Sequence, residues 1–263
     1  DSGLGGLTAV RHLQNLLPNE NIVYFGDTGR VPYGTRSNET IVKYTLQDIA
    51  FLMKYDVKYI VIACGTVSSV TLDRIDTSSM CPIVGVVDGA VDAALAATKS
   101  GRIGVLGTPA TIASGSYEKK LKAKADVRVI PNACPLFVPL VENGYTHKDN
   151  PVLRLVAQEY LAPLLDGQVD TIILGCTHYP LIRSTIGRVI GEDVTLVNPA
   201  YETAQELKSM LKERGLLNQE APKLGSNQYQ FYVSDAAGKF KQFANSIIKY
   251  GILSAKTVNI EEY

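Results

Sequence analysis

Short runs of β-branched and other apolar residues alternate along this chain with longer segments of helical period, and that alternation leaves few folds open. The strand-like runs are Asn21–Gly26, Val57–Cys64, Ile83–Val87, Arg102–Gly107, Val127–Ile130, Val169–Cys176, Asp193–Val197 and Tyr229–Val233. Between them, Glu39–Tyr55 carries Ile41, Val42, Leu46, Ile49, Ala50 and Met53 on one stripe. A second helix opens at Asn150-Pro151, a cap followed by a first-turn proline. A third, Glu202–Arg214, ends before Gly215. Strands that are apolar almost throughout and separated by helices belong in parallel sheets covered on both faces, so the expected class is α/β with doubly wound parallel sheets.

Composition removes whole classes of function. With 263 residues and 46% of them apolar, the chain can build a real core and is not globally disordered. Lysine plus arginine (26) cancels aspartate plus glutamate (26), and wrapping nucleic acid or lying on an anionic membrane both need a basic excess. The longest apolar runs, such as Tyr59–Cys64, fall far short of the roughly 20 residues of a membrane helix. No secretory leader is visible, so the expectation is a soluble, cytosolic protein. The four cysteines, at 64, 81, 134 and 176, form no Cys-x-x-Cys pair and no disulfide-dense pattern. With three histidines, one of them near a cysteine, a structural zinc site is not expected.

Two strand ends resemble each other. Val61-Ile62-Ala63-Cys64-Gly65-Thr66 and Ile173-Leu174-Gly175-Cys176-Thr177-His178 both run a buried strand into a cysteine, with a threonine within two residues. Ligands of open parallel sheets bind beyond the carboxyl ends of the strands, so two such ends suggest two similar lobes facing across a cleft. In Cys176-Thr177-His178-Tyr179-Pro180 an imidazole two residues from the thiol can stabilise a thiolate. A cysteine hydrolase would use one such pair and leave Cys64 idle. Opposed thiols fit a different chemistry, in which one removes a proton and the other delivers one to the opposite face; a free thiol titrates near about pH 8.5, within tuning range of neutrality.

Other segments are weaker alone. Asp1-Ser2-Gly3-Leu4-Gly5-Gly6-Leu7-Thr8 lacks dinucleotide and phosphate-loop spacing, and offers either backbone donors for a small anion or a plain turn into a helix over Thr8–Leu17. Pro32-Tyr33-Gly34 in the loop after the first strand is either a ligand loop or turn punctuation. Cys81 and Cys134, each before a proline, read as packing, and His12 and His147 as surface or packing residues.

Taken together, Asp1-Ser2-Gly3-x-Gly-Gly, Pro32-Tyr33-Gly34, Ala63-Cys64, the run Cys134–Glu142 and Leu174–Pro180 occur in an order that resembles the cofactor-independent glutamate racemases of the aspartate/glutamate racemase superfamily, over essentially the whole chain. The resemblance implies two pseudo-symmetric α/β domains with the active site in the cleft between them, residues 1–91 and 205–263 forming one lobe and 92–204 the other. It implies interconversion of L- and D-glutamate for peptidoglycan, with no cofactor and no metal, in a cytoplasmic homodimer without nucleic-acid or membrane partners. Carried over by position, Cys64 and Cys176 match the catalytic thiols, and Asp1, Glu142 and His178 the groups assisting proton transfer. Asp1, Ser2, Pro32, Tyr33, Gly34, Gly65, Thr66, Thr108, Thr111, Thr177 and His178 match the substrate-binding positions.

Two departures stand out. The family places asparagine after the first cysteine, where this chain has Gly65, and its strand ahead of Asp-Ser-Gly has no counterpart in these 263 residues. The first departure removes a side chain that can both donate and accept, which keeps open a racemase for aspartate or a broader range of acidic amino acids. A binding protein for acidic amino acids, with both cysteines as packing, is the reading from another class.

Overall fold

The computed structural model describes residues 1–220, 228–248 and 254–263. Nine strands occur among them: β1 (Ile22–Gly26), β2 (Ile60–Ile62), β3 (Ile83–Gly85), β4 (Arg102–Gly107), β5 (Arg128–Ala133), β6 (Thr171–Leu174), β7 (Thr195–Val197), β8 (Tyr229–Val233) and β9 (Lys256–Thr257). The α-helices are α1 (Leu7–Leu16), α2 (Asn38–Leu52), α3 (Gly65–Thr71), α4 (Val87–Ala97), α5 (Pro109–Ser114), α6 (Ser116–Lys124), α7 (Phe137–Glu142), α8 (Pro151–Asp166), α9 (Arg183–Ile190), α10 (Pro199–Glu213) and α11 (Ala237–Ile247). Every strand pair is parallel.

The second lobe is a four-stranded sheet in the order β5-β4-β6-β7. Side-chain alternation explains its two covered faces. Leu106 of β4 and Ile172 and Leu174 of β6 join Leu153, Leu161 and Leu164 of α8 and Ile186 of α9 in one core. Ile103, Val105 and Ile173, on the alternate positions, pack with Val87, Ala90, Val91 and Ala94 of α4 and Leu121 of α6. Asp170 fastens the edge of this lobe. Its carboxylate accepts from Thr98 Oγ1 at 2.6 Å and from the N–H groups of Lys99 and Ser100 at 2.8 and 2.6 Å.

In the first lobe, β8 lies between β1 and β9, while β2 pairs with β3. Tyr24 packs with Leu7, Val10 and Phe240 on one side of β1, and Phe25 with Phe51, Tyr232 and Ile260 on the other. A cavity of about 570 Å³ separates β1 from β2. It is lined by Ile22–Phe25 and by Ile60 and Val61, and approaches the expected site only through Asp1, Gly6 and Ala63. Neither strand-end cysteine lines it.

Several boundaries differ from the sequence reading. The run Val57–Cys64 narrows to β2, whose ladder with β3 joins only Ile60–Ile62 to Ile83–Gly85. The run Val169–Cys176 narrows to β6, because Gly175 leaves the strand with its N–H on Leu106 O. The third helix starts earlier, at Pro199, with Asn198 as its cap. The lobe boundaries expected at 91/92 and 204/205 both fall inside helices, α4 and α10. These helices pack on each other and carry the chain from β3 to β4 and from β7 to β8.

Three short donors hold the Asp170 carboxyl below the usual carboxylate range, outweighing its partial burial. A depressed native pKa adds stability that is fully present above the unfolded value near about 3.9 and is lost as pH falls through the native value. Asp170→Asn is therefore expected to lower stability by about 1–2 kcal/mol at pH 7, with the difference from the parent shrinking below about pH 4. Urea unfolding across pH checks this; a pH-independent difference would reject it.

Candidate active site

Cys64 caps α3 at the end of β2, and Cys176 stands two residues beyond β6, so each lobe offers one strand-end thiol. Both are buried, at 6% and 7% exposure. The strand ends meet main chain to main chain: a Cβ built on Gly65 would stand 2.2 Å from Gly175 O and 3.7 Å from Cys176 Cα. No side chain fits there without the two backbones parting, which is the structural counterpart of the missing asparagine. Gly5 makes a similar approach, where a Cβ would lie 2.0 Å from Thr177 Oγ1. Beside it Thr8 Oγ1 donates to Thr177 O at 3.0 Å.

The thiols have unlike neighbours. Ser2 Oγ lies 3.3 Å from Cys64 Sγ. Nearby, Asp1 Oδ1 accepts from Gly3 N at 2.9 Å, while Asp1 Oδ2 is buried without a partner among the described residues. On the other side, His178 Nδ1 lies 3.8 Å from Cys176 Sγ, and His178 Nε2 lies 3.0 Å from Glu142 Oε1 at the end of α7. Burial opposes charge on the imidazole, but Cys176 and Glu142 outweigh it and raise His178 to about 9. When protonated, the ring directs one N–H toward the thiol and one toward the carboxylate.

Hydroxyls gather where the lobes adjoin. Thr66 Oγ1 is 2.9 Å from Thr108 Oγ1, which is 2.9 Å from Thr111 Oγ1. Thr66 follows Cys64, whereas Thr108 caps α5 after β4. The 32–34 turn closes this corner, since a Cβ on Gly34 would lie 2.7 Å from Thr108 Cβ. Tyr33 is buried at 2% exposure with its hydroxyl donated to Asp27, so what this turn offers a ligand is its backbone.

Thus Asp1, Ser2, Gly34, Cys64, Gly65, Thr66, Thr108, Thr111, Glu142, Cys176, Thr177 and His178 come together, and the side chain of Tyr33 turns away. Sequence reasoning missed Tyr117, whose hydroxyl is buried without a partner among the described residues and held above its ordinary range by burial and by the charges of Cys176 and Cys64. No sequence motif marks it. Cys134 is fully buried in the α7–α8 core, and His12 packs edge-on to Tyr201 with Nε2 on Asn198. His147 is exposed. Among the described residues no cluster of three or more His, Cys, Asp or Glu side chains could hold a metal ion, and no helix is long and apolar enough to cross a membrane.

Fold and site together define an α/β protein of parallel sheets whose candidate reactive side chains gather where the ends of β2 and β6 meet. Residues 8–207 match the family model described as Asp/Glu/Hydantoin racemase. A glutamate racemase of Chlorobaculum tepidum is 46% identical over 244 residues, 92% of this chain and 88% of that protein. A glutamate racemase isoform of Bacillus anthracis superposes with a TM-score of 0.91 at 37% identity, covering 98% of this chain and 95% of that one. The Francisella tularensis glutamate racemase, solved in complex with D-glutamate, gives 0.90 at 38% identity, covering 100% and 97%. The chain belongs to the Asp/Glu/Hydantoin racemase family and is an amino-acid racemase, an isomerase.

The elevated His178 titration depends on an anion at each ring nitrogen, so Glu142→Gln is expected to lower its midpoint from about 9. Imidazole NMR resonances report this directly. An unchanged midpoint would show that Glu142 does not hold the charge.

Proposed function

We propose that this racemase interconverts L- and D-glutamate by two-base chemistry, Cys64 acting on one face of Cα and Cys176 on the other. The observation that carries the reading is the juxtaposition of the two strand-end thiols through the Gly65–Gly175 contact. The names of the relatives support glutamate as the substrate.

An amino-acid Cα–H is a very weak acid, so the cleft has to compensate by positioning, by excluding water and by stabilising the developing enolate-like charge. Burial of both thiols serves water exclusion. One thiolate takes the proton from Cα while the opposed thiol donates its own to the other face, which inverts the centre and exchanges the roles of the two sulfurs. His178, charged and braced by Glu142, assists Cys176; Asp1, with a free carboxylate oxygen, assists Cys64 beside Ser2. The Thr66, Thr108 and Thr111 hydroxyls and the backbone at 32–34 supply donors to the substrate carboxylates, with Thr177 closing the other side.

The biological setting follows as part of the same proposal: D-glutamate for peptidoglycan, made in the cytoplasm by a homodimer. The lobes divide within α4 and α10, near the expected 91/92 and 204/205.

Cys64→Ser and Cys176→Ser are each expected to lower racemisation by about 10²–10⁴-fold, with Cys81→Ser close to the parent. A panel including glutamate and aspartate in deuterated water, read by optical rotation and Cα deuterium uptake, gives the test. For an analogue with a β-leaving group, each cysteine variant should eliminate from one enantiomer only, and from opposite ones. Elimination of the same enantiomer by both would overturn the opposed-base assignment, and absence of deuterium uptake in the parent would leave a binding protein.

A further inference from the structure

Behind the 32–34 turn lies a polar network that the reaction scheme does not use. Asp27, at the end of β1, is fully buried. Its Oδ2 accepts from the Tyr33 hydroxyl and from Arg30 Nε at 2.6 Å, while Oδ1 has no partner among the described residues. Asp48 on α2, its side chain 14% exposed, receives Arg30 Nη2 at 3.2 Å, and its Oδ2 is 3.4 Å from the Tyr33 hydroxyl. The guanidinium also donates to Gln47 at 2.5 Å and to the exposed Glu261 at 3.2 Å, and lies over the Tyr44 ring at 4.0 Å.

The charges in this network do not balance if both aspartates ionise. Two carboxylates, both largely out of water, would share one guanidinium, and Asp27 Oδ1 already lacks a donor. A second buried anion left uncompensated is far less stable than its neutral acid. The groups facing Asp48 are Asp27, Arg30 and the Tyr33 hydroxyl; burial and the Asp27 charge push its carboxyl well above the usual range, against the Arg30 cation.

We propose that Asp27 is a positioning residue that holds the 31–34 turn against Thr108 through Tyr33 and Arg30, and that Asp48 serves this network as a neutral, protonated acid. Gly34 touches Thr108 directly, so tilting Tyr33 or Arg30 displaces the wall of the substrate corner without touching either thiol. The kinetic consequence rests on the racemase reading; the protonation assignment does not.

The experiment compares Asp48→Asn with Asp27→Asn. An amide matches a neutral acid in shape, so Asp48→Asn should leave KM and kcat within about twofold of the parent. Asp27→Asn puts an NH₂ or a neutral oxygen against Arg30 and should raise KM by about tenfold or more with a smaller change in kcat. Should Asp27→Asn fail to fold, Arg30→Met tests the same pairing. Equal damage from Asp48→Asn and Asp27→Asn, or a kcat loss at unchanged KM, would overturn the proposal. Urea unfolding against pH decides the protonation state without any activity. A carboxyl whose native pKa is raised holds a proton that the unfolded chain has released, so the parent loses stability as pH rises from about 4 toward the native value. Asp48→Asn should lack that loss, its advantage over the parent growing with pH. Parallel curves would show Asp48 ionised and reject the assignment. If the parent racemises nothing, the functional reading fails while the unfolding curves still stand.

Discussion

The cleft depends on backbone touching backbone. Gly65 against Gly175 brings two sheets to van der Waals contact at the ends of β2 and β6, where a methyl group would already collide. A contact of this kind has no rotamers to adjust, so it sets the separation of the cysteines more firmly than a side-chain bridge would. The lobes reach this geometry because their two connections, α4 and α10, pack on one another and leave the strand ends little freedom to drift.

How much of this could be read beforehand depended on the range of the interaction responsible. Local chemistry was legible. Asn150 caps α8, its Oδ1 accepting from Leu153 N at 3.0 Å, and Gly215 takes a left-handed φ of 66° just after α10. The alternation of apolar strands and helices was enough for the parallel class. Strand ends were read too long because apolar character continues past the last ladder pair: Ala63 and Cys64 are as buried as the strand before them but pair with no neighbouring strand. β9 is two exposed residues, Lys256 and Thr257, with no pattern to reveal it.

The site divided in the same way. Motif positions marked the two thiols, His178 and Glu142, since those residues carry their chemistry on their face. Tyr33 was marked by its neighbours Pro32 and Gly34, but only the fold shows its ring buried and its hydroxyl on Asp27. Asp27, Arg30 and Asp48 come from a strand end, a loop and a helix, and nothing in their spacing announces that both carboxylates meet one guanidinium. Tyr117 reaches the thiols from α6 for the same non-local reason.

The surroundings of the two thiols are unequal, and the proposed reaction constrains what that inequality can do. Cys64 has the Ser2 hydroxyl beside it, whereas Cys176 has an imidazole braced by a carboxylate. The two thiols therefore play the same pair of roles from different surroundings. L- and D-glutamate have equal free energies in water, so their equilibrium constant is one whatever the enzyme does. The ratio kcat/KM must then be the same in both directions. Any difference between the two directions therefore divides into compensating differences of kcat and KM. The asymmetry of the site governs how it responds to each enantiomer's concentration, and leaves the position of equilibrium untouched.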